Sequence, residues 1–381
     1  MTQSISETVP DPSTLLDGAD PSPLFTPFHL GDLELRNRFV MAPMTRAHSP
    51  NGVPGEDVAA YYERRARHMG LLVTEGTYID HPSAGTYDRV PRFYGDRSLD
   101  GWRRVVDRVH AVGGRIIPQL WHVGVTRSEG ADPNPDASVL SPSGLDLNGD
   151  PKGVAAGKAD LDAIVESFAR AAADAKRIGF DGIELHGAHG YLLDEFLWDD
   201  TNRRKDGYGG TPAGRVRLSA EVVSAVRRAV GPDFPISYRF SQWKGAHFDA
   251  RIAGTPIELD QLLSPLAAAG VSIFNVSTRR YWLPAFDGSD RTLAGWTKHI
   301  TGRPVIAIGS VGVPTAFLAQ GGDVAQTLSL RPLVELFERG EFDLVALGRS
   351  VLSDAAWVQK LRAGRPDGIR AYEKSHELEL E

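Results

Sequence analysis

From position 38 onward, short apolar or β-branched runs alternate with longer stretches in which apolar residues recur every three or four positions. These are the periods of strand and helix. The runs predict strands at 38–42 (RFVMA), 71–75 (LLVTE), 115–120 (RIIPQL), 182–186 (GIELH), 235–240 (PISYRF), 271–276 (VSIFNV), 304–308 (PVIAI) and 343–347 (DLVAL). Helices are predicted near 56–69, 98–112, 159–178, 212–229, 258–269, 292–301, 330–339 and 354–362. Thr211-Pro212 is a helix start with a hydroxyl cap and proline in the first turn. Gly179, Gly270 and Gly302 each follow a helical run, where a left-handed residue is wanted. Eight strand–helix pairs without a second core predict an α/β chain folded as a closed (β/α)8 TIM barrel. An open doubly wound sheet is the runner-up, and no Gly-x-Gly-x-x-Gly follows the first strand to support it.

The flanks add detail. Residues 1–22 are polar and read as a disordered tail. Residues 25–35 (FTPFHLGDLEL) read as an N-terminal β-hairpin around a Gly-Asp turn. A single barrel domain is expected over 23–365, with 366–381 as a C-terminal tail. A Pro/Asp/Gly/Ser-rich insertion at 124–157 and a second loop at 277–291, bearing Tyr281 and Trp282, both follow strands. Both should overhang the C-terminal face, where barrel chemistry occurs.

Composition narrows the function. Of 381 residues 41% are hydrophobic and 24% charged, and the formal net charge is -7, which argues against a general nucleic-acid binder. There is no polybasic membrane patch and no apolar stretch long enough to span a bilayer. The chain has 0 cysteines, so disulfides, iron–sulfur clusters, thiolate zinc sites and thiol nucleophiles are excluded. The first residues lack the basic start and apolar run of a signal peptide, so a cytoplasmic enzyme is expected, one that could also self-associate.

Polar residues gather at the predicted C-terminal strand ends: Thr45, Gln119, His122, His186, His189 and Arg239. Gly309-Ser310 ends the seventh strand and Gly348-Arg349 the eighth, where barrels commonly bind phosphate. Small residues there let backbone N–H groups approach the anion, and an arginine supplies a charged fork. The segment His186-Gly-Ala-His189-Gly-Tyr191 has two readings. The imidazoles could ligate a metal, with Glu184 on the same face, although no clear third-ligand motif is present. Alternatively, two N–H donors converge on one substrate oxygen with a tyrosine proton donor beside them.

Several segments together resemble the old yellow enzyme family of FMN-dependent ene-reductases, over about 24–361. They are Met41-Ala-Pro-Met-Thr-Arg46, Glu75-Gly-Thr77, Gln119-Leu-Trp-His122, Glu184-Leu-His-Gly-Ala-His-Gly-Tyr-Leu-Leu193, Asn202-Arg-Arg-Lys-Asp-Gly-Tyr-Gly-Gly210 and the paired Gly309-Ser310 and Gly348-Arg349. The resemblance implies that Pro43, Met44, Thr45 and Gly76 line the flavin, with Thr45 tuning its electron affinity. It implies that Gln119 and Arg239 hold the pyrimidine edge, and that Gly309, Ser310, Gly348 and Arg349 grip the phosphate. His186 and His189 would bind the substrate oxygen, Tyr191 would donate a proton, and Trp121 and Tyr87 would shape the substrate pocket. No metal is implied. The chain departs from the family pattern in places. One branch carries cysteine where Thr45 stands, Gly76 occupies a position more often filled by alanine, and Ser241-Gln-Trp-Lys244 and 277–282 do not match well-known members. The Asn202–Gly210 segment is read as structural.

The implied activity is NAD(P)H-dependent reduction of activated C=C bonds in enones, enals, maleimides and nitroalkenes. FMN is the implied cofactor, NADPH or NADH the reductant, and an electrophilic alkene the small-molecule partner. Two rivals stand beside it: a metal- or phosphate-dependent TIM-barrel lyase, and a non-catalytic flavin-binding protein.

Overall fold

The structure, a computed structural model, describes residues 15–313 and 329–381. A short antiparallel hairpin comes first, β1 (Phe28–Leu30) and β2 (Leu33–Leu35), turning at Gly31-Asp32. The strands β3 (Phe39–Met41), β4 (Leu71–Tyr78), β5 (Ile116–Trp121), β8 (Ile183–His189), β9 (Ile236–Lys244), β10 (Ile273–Ser277), β11 (Val305–Ile308) and β12 (Leu344–Leu347) then close into a barrel. All neighbouring pairs are parallel, and β12 pairs with β3 through Val345 and Phe39, Ala346 and Val40, Leu347 and Met41. Each predicted strand overlaps one of these eight.

Between them run α1 (Glu56–Ala66), α2 (Asp96–Ala111), α3 (Lys158–Ile178), α4 (Leu192–Leu197), α5 (Pro212–Val230), α6 (Pro256–Ala269), α7 (Leu293–Thr301), α8 (Arg331–Glu338), α9 (Arg349–Ser353) and α10 (Trp357–Arg362). The short α4 and α9, which periodicity did not predict, start right after Tyr191 and Gly348. The Thr211 hydroxyl accepts from the Gly214 N–H at the start of α5, while Gly179 and Gly302 close α3 and α7 in the left-handed region.

Alternation along the strands separates two apolar layers. Val40, Ala42, Leu71, Val73, Ile117, Ile273, Ile306, Leu344 and Ala346 fill the lower barrel interior. Phe28, Leu33 and Leu35 join this cluster, so the hairpin plugs the N-terminal mouth. Phe39, Met41, Leu72 and Val345 face the other way, into the larger layer under the helices. With the bottom sealed, the polar residues are left to the opposite end.

Two expectations about the flanks need correction. The part of the 1–22 tail that is described does not hang free: Leu15 is buried, and its carbonyl accepts from the Leu330 N–H at 2.7 Å. The remainder of that tail, 1–14, lies outside the described residues. Residues 366–381 likewise pack onto the barrel. His376 is buried with Nδ1 2.8 Å from the Ser353 hydroxyl, and Arg46 and Arg64 donate to backbone carbonyls of His376, Glu379 and Leu380. Position 365 is therefore not the edge of the packed body. In the long insertion, β6 (Leu140–Ser141) pairs with β7 (Val154–Ala155), and Leu147 packs beside Gly190 at the barrel's upper rim.

Candidate active site

A cavity of about 330 Å³ opens at the C-terminal ends of the barrel strands. It is lined by every site residue expected from the sequence except Tyr87. Tyr87 is 62% exposed and stands outside the lining, so its expected place in the pocket wall is corrected.

The floor and edges are built for a flat polar group carrying an anion. Pro43, Met44 and Thr45 follow β3, and Gly76 lies in β4. A Cβ at Gly76 would fall 2.5 Å from Trp121 Cε3, so the absent side chain is what lets the indole close down over this strand. Gln119 is buried and its amide N–H₂ donates to Glu184 Oε1 at 2.9 Å. Glu184 Oε2 accepts from the Ser237 hydroxyl and the Asn275 amide, each at 2.8 Å. Glu184 accepts all three bonds, which fixes the amide orientation and leaves the Gln119 carbonyl oxygen as its free acceptor. Arg239 is buried, its Nε has no protein partner, and one terminal nitrogen is 3.4 Å from the Ser277 hydroxyl.

At the far end, Gly309 (φ 155°) and Ser310 (φ 56°) adopt backbone that favours glycine. A Cβ on Gly309 would meet the Thr278 hydroxyl at 2.6 Å. Gly348 has nothing nearer to its missing Cβ than Met44 Sδ at 3.5 Å, leaving an open cradle beside Arg349. A buried guanidinium with an unsatisfied nitrogen, an amide held as an acceptor, and a small-residue cradle next to an arginine together fit a flavin mononucleotide.

Over this floor stand His186, His189 and Tyr191, brought together by a single strand–turn. The His186 ring centroid is 5.4 Å from His189 and 4.9 Å from Tyr191, and Trp121 packs edge-on to Tyr191 at 4.8 Å. His186 Nδ1 is buried and unpartnered, while His189 Nε2 lies 2.8 Å from the Ser277 hydroxyl. Burial first, then the Arg239 charge, holds both imidazoles well below the usual histidine range; His186 and Lys244 push His189 the same way. Both are therefore neutral near pH ~7. Burial and the nearby Tyr87 raise the Tyr191 phenol, so it keeps its proton.

The metal reading loses its third ligand, because Glu184 is engaged below by Gln119, Ser237 and Asn275. Among the described residues no group of three or more His, Cys, Asp or Glu could hold a metal ion. His122, the other strand-end histidine, is buried outside the cavity lining, where it contacts Ser83 and His81.

Several lining residues escaped sequence reasoning. Trp243 stacks on His189 with centroids 4.3 Å apart and 27° between planes, and Ser277 contacts both His189 and Arg239. A signal existed: Arg239, Ser241 and Trp243 alternate along β9, so they share the face already chosen for Arg239. Glu377, from the supposed tail, lines the cavity too.

Three comparisons bear on this arrangement. A family model described as NADH:flavin oxidoreductase / NADH oxidase matches residues 23–368. The chain is 34% identical to 12-oxophytodienoate reductase 7 of Oryza sativa subsp. japonica over 355 residues, covering 90% of this chain and 88% of the relative. It is 32% identical to an NADH oxidase of Thermoanaerobacter brockii over 91% of its own length but 52% of that protein. Morphinone reductase solved with tetrahydroNAD superposes with a TM-score of 0.77 at 29% identity, covering 93% of each chain.

Proposed function

The chain belongs to the NADH:flavin oxidoreductase / NADH oxidase family, the old yellow enzyme type of FMN-dependent, nicotinamide-reduced oxidoreductase, and on that premise we propose that it reduces activated C=C bonds. The observation that carries this reading is the meeting of His186, His189 and Tyr191 above a cavity whose floor fits FMN.

Gly309, Ser310, Gly348 and Arg349 hold the phosphate. Arg239 would place positive charge at the pyrimidine edge, Gln119 would accept there, and Thr45 would bind the flavin ring. A flavin held there would supply the hydride chemistry that links oxidation of NAD(P)H to reduction of the alkene at its β-carbon. Nicotinamide and alkene take the same place in turn.

His186 and His189, both neutral, offer N–H groups to the electron-withdrawing oxygen of the alkene. That oxygen gains charge as hydride arrives, and fixed donors in a dry site stabilise it. Losing one comparable donor costs about 3–4 kcal/mol of barrier in other enzymes. The Ser277 hydroxyl, 2.8 Å from His189 Nε2, can donate or accept there and so holds the ring in place with either imidazole nitrogen protonated. Tyr191 protonates the α-carbon, and its raised pKa keeps the donor loaded throughout the neutral range. Trp121 and Trp243 form the apolar walls that set which acceptors fit.

The test is anaerobic. NADPH or NADH should bleach the yellow holoenzyme, and cyclohexenone should restore the colour with one equivalent of cyclohexanone formed. Reduced enzyme that reoxidises only with oxygen would overturn ene reduction. Failure of both nicotinamides to bleach it would leave a flavin-binding protein without this activity.

A further inference from the structure

The turn that carries His189 is strained. His189 has φ 67° and Gly190 φ 83°, so a residue with a side chain sits in backbone usually left to glycine. Three hydrogen bonds hold it there. The His189 N–H donates to the Ser241 hydroxyl at 3.0 Å, Gly245 N–H donates to the His189 carbonyl at 3.2 Å, and Gly190 N–H donates to Asp194 Oδ2 at 2.7 Å.

Two of these bonds lead to one feature. Lys244 and Asp194 are completely buried, with Nζ and Oδ1 2.9 Å apart. The other lysine donors go to the Ser241 and Gln242 carbonyls at 3.2 and 2.9 Å, so all three are used. The pair ties the upper end of β9 to the start of α4. Those are the two walls on either side of the His189–Tyr191 turn. Neither residue lines the cavity. An apolar pair of similar volume is often at least as stable as a buried ion pair, so stability alone is a weak reason for this one.

We propose that the Lys244–Asp194 pair is a positioning element of the active site: it sets the turn bearing His189 and Tyr191, and so sets the grip on a ligand's oxygen without touching the ligand. The same extension delivers Trp243, whose carbonyl accepts from the Ser241 hydroxyl at 2.6 Å and whose ring covers His189. Segment 241–244, which departs from the family pattern, is thereby accounted for as one device. Lys244 fixes its end, Trp243 covers the imidazole, and Ser241 holds the backbone. The lysine charge is also among the influences that keep His189 neutral, after burial, Arg239 and His186.

The inference rests on His189 and Tyr191 gripping the ligand, and its test reads binding and spectroscopy independently of turnover. Holoenzymes of Asp194→Asn, Lys244→Met and the double variant Asp194→Leu/Lys244→Met are compared with the parent for FMN content and Tm. The dissociation constant of tetrahydroNAD, which cannot reduce the flavin, is read from the flavin absorbance. The ¹⁵N imidazole signals of His189 are assigned by their loss in His189→Ala. The double variant should retain FMN and melt close to the parent. It should bind tetrahydroNAD about tenfold more weakly, as expected for one misaligned hydrogen bond, and its His189 signals should shift. Parent-like affinity and unshifted signals in any variant that holds FMN would overturn the proposal. So would loss of fold in all three variants, the isosteric Asp194→Asn included, because the pair would then serve stability alone. A parent that binds tetrahydroNAD yet reduces no alkene would fault the proposed function and leave these readouts intact.

Discussion

Gly76→Ala isolates one contact at the centre of the site. The glycine has no left-handed backbone to preserve, so alanine costs nothing in φ, and the whole effect comes from its methyl group. That carbon would stand 2.5 Å from Trp121 Cε3, 3.0 Å from Cδ2 and 3.2 Å from Cζ3. Carbon atoms pack at about 3.5–4.0 Å, so the indole must withdraw by roughly 1 Å. It has little room. Tyr78 lies 5.4 Å from its centroid, Tyr191 meets its edge at 4.8 Å, and His186 is at 5.9 Å. Overpacking of this kind costs about 1–3 kcal/mol, so Tm should fall by several degrees. A displacement near 1 Å at reacting groups can cost up to about 10²-fold in rate, and Tyr191 stands in the path of the retreat. The expected result is retained FMN with kcat/KM for cyclohexenone down roughly 10- to 100-fold. Pairing the change with Trp121→Leu should recover most of the lost Tm. An alanine variant with unchanged Tm and unchanged enone kinetics would refute the argument, as would one whose main defect is loss of flavin.

Tyr191→Phe should slow flavin reoxidation by an enone about 10²–10⁴-fold, leave reduction by NADPH little changed and spare a nitroalkene, whose nitronate product can be protonated by water. Stopped-flow measurement of both acceptors decides it, equal losses meaning that the phenol positions the ligand instead of protonating it. His186→Ala/His189→Ala should keep FMN while losing most enone-driven recolouring, because the residues proposed to hold the phosphate and pyrimidine lie on other strands; flavin loss on gel filtration would contradict this. Glu75, buried beside the Thr45–Ala47 turn, has its carboxyl pushed up to about 7 by burial. A folded pKa above the unfolded one gives stability that is present at low pH and lost as pH rises through about 7. Glu75→Gln removes that loss, so its Tm relative to the parent should climb between about pH 4.5 and 7, by the equivalent of roughly 3 kcal/mol. A constant difference across that range would count against it.

What could be read from the chain, and what could not, follows from which interactions leave a period. The eight strands were legible because a barrel interior forces side chains to alternate in and out. Val40 and Ala42 turn into the lower interior while Phe39 and Met41 turn outward. The strands end later than the apolar runs: β4 continues to Tyr78, β8 to His189 and β9 to Lys244. Those last turns carry Thr77, His189, Ser241 and Lys244, polar residues that break the hydrophobic signal where the chemistry lies. The strand-end residues that were identified all belong to short motifs with a mechanism behind them.

What failed to show depends on backbone groups or on distant partners. Residues 366–381 look like a tail because their composition is polar. Yet the anchors are carbonyls of His376, Glu379 and Leu380 taken by arginines more than three hundred residues earlier, and a carbonyl leaves no mark in a sequence. Tyr87 was expected in the pocket wall through the family resemblance, but it is exposed and outside the cavity lining, while Trp121, on the strand next to β4, takes the wall. Lys244 and Asp194 stand fifty residues apart and read separately as a strand-end lysine and a helix-start aspartate. Only when the bulge between Gly187 and His189 brings His189 into register with Lys244 do they become one buried pair behind the active-site turn. The groups that line the cavity are spaced by the strand and loop grammar of the barrel, and so are readable. The groups that hold those residues in place are chosen by tertiary distance, which sequence separation does not encode.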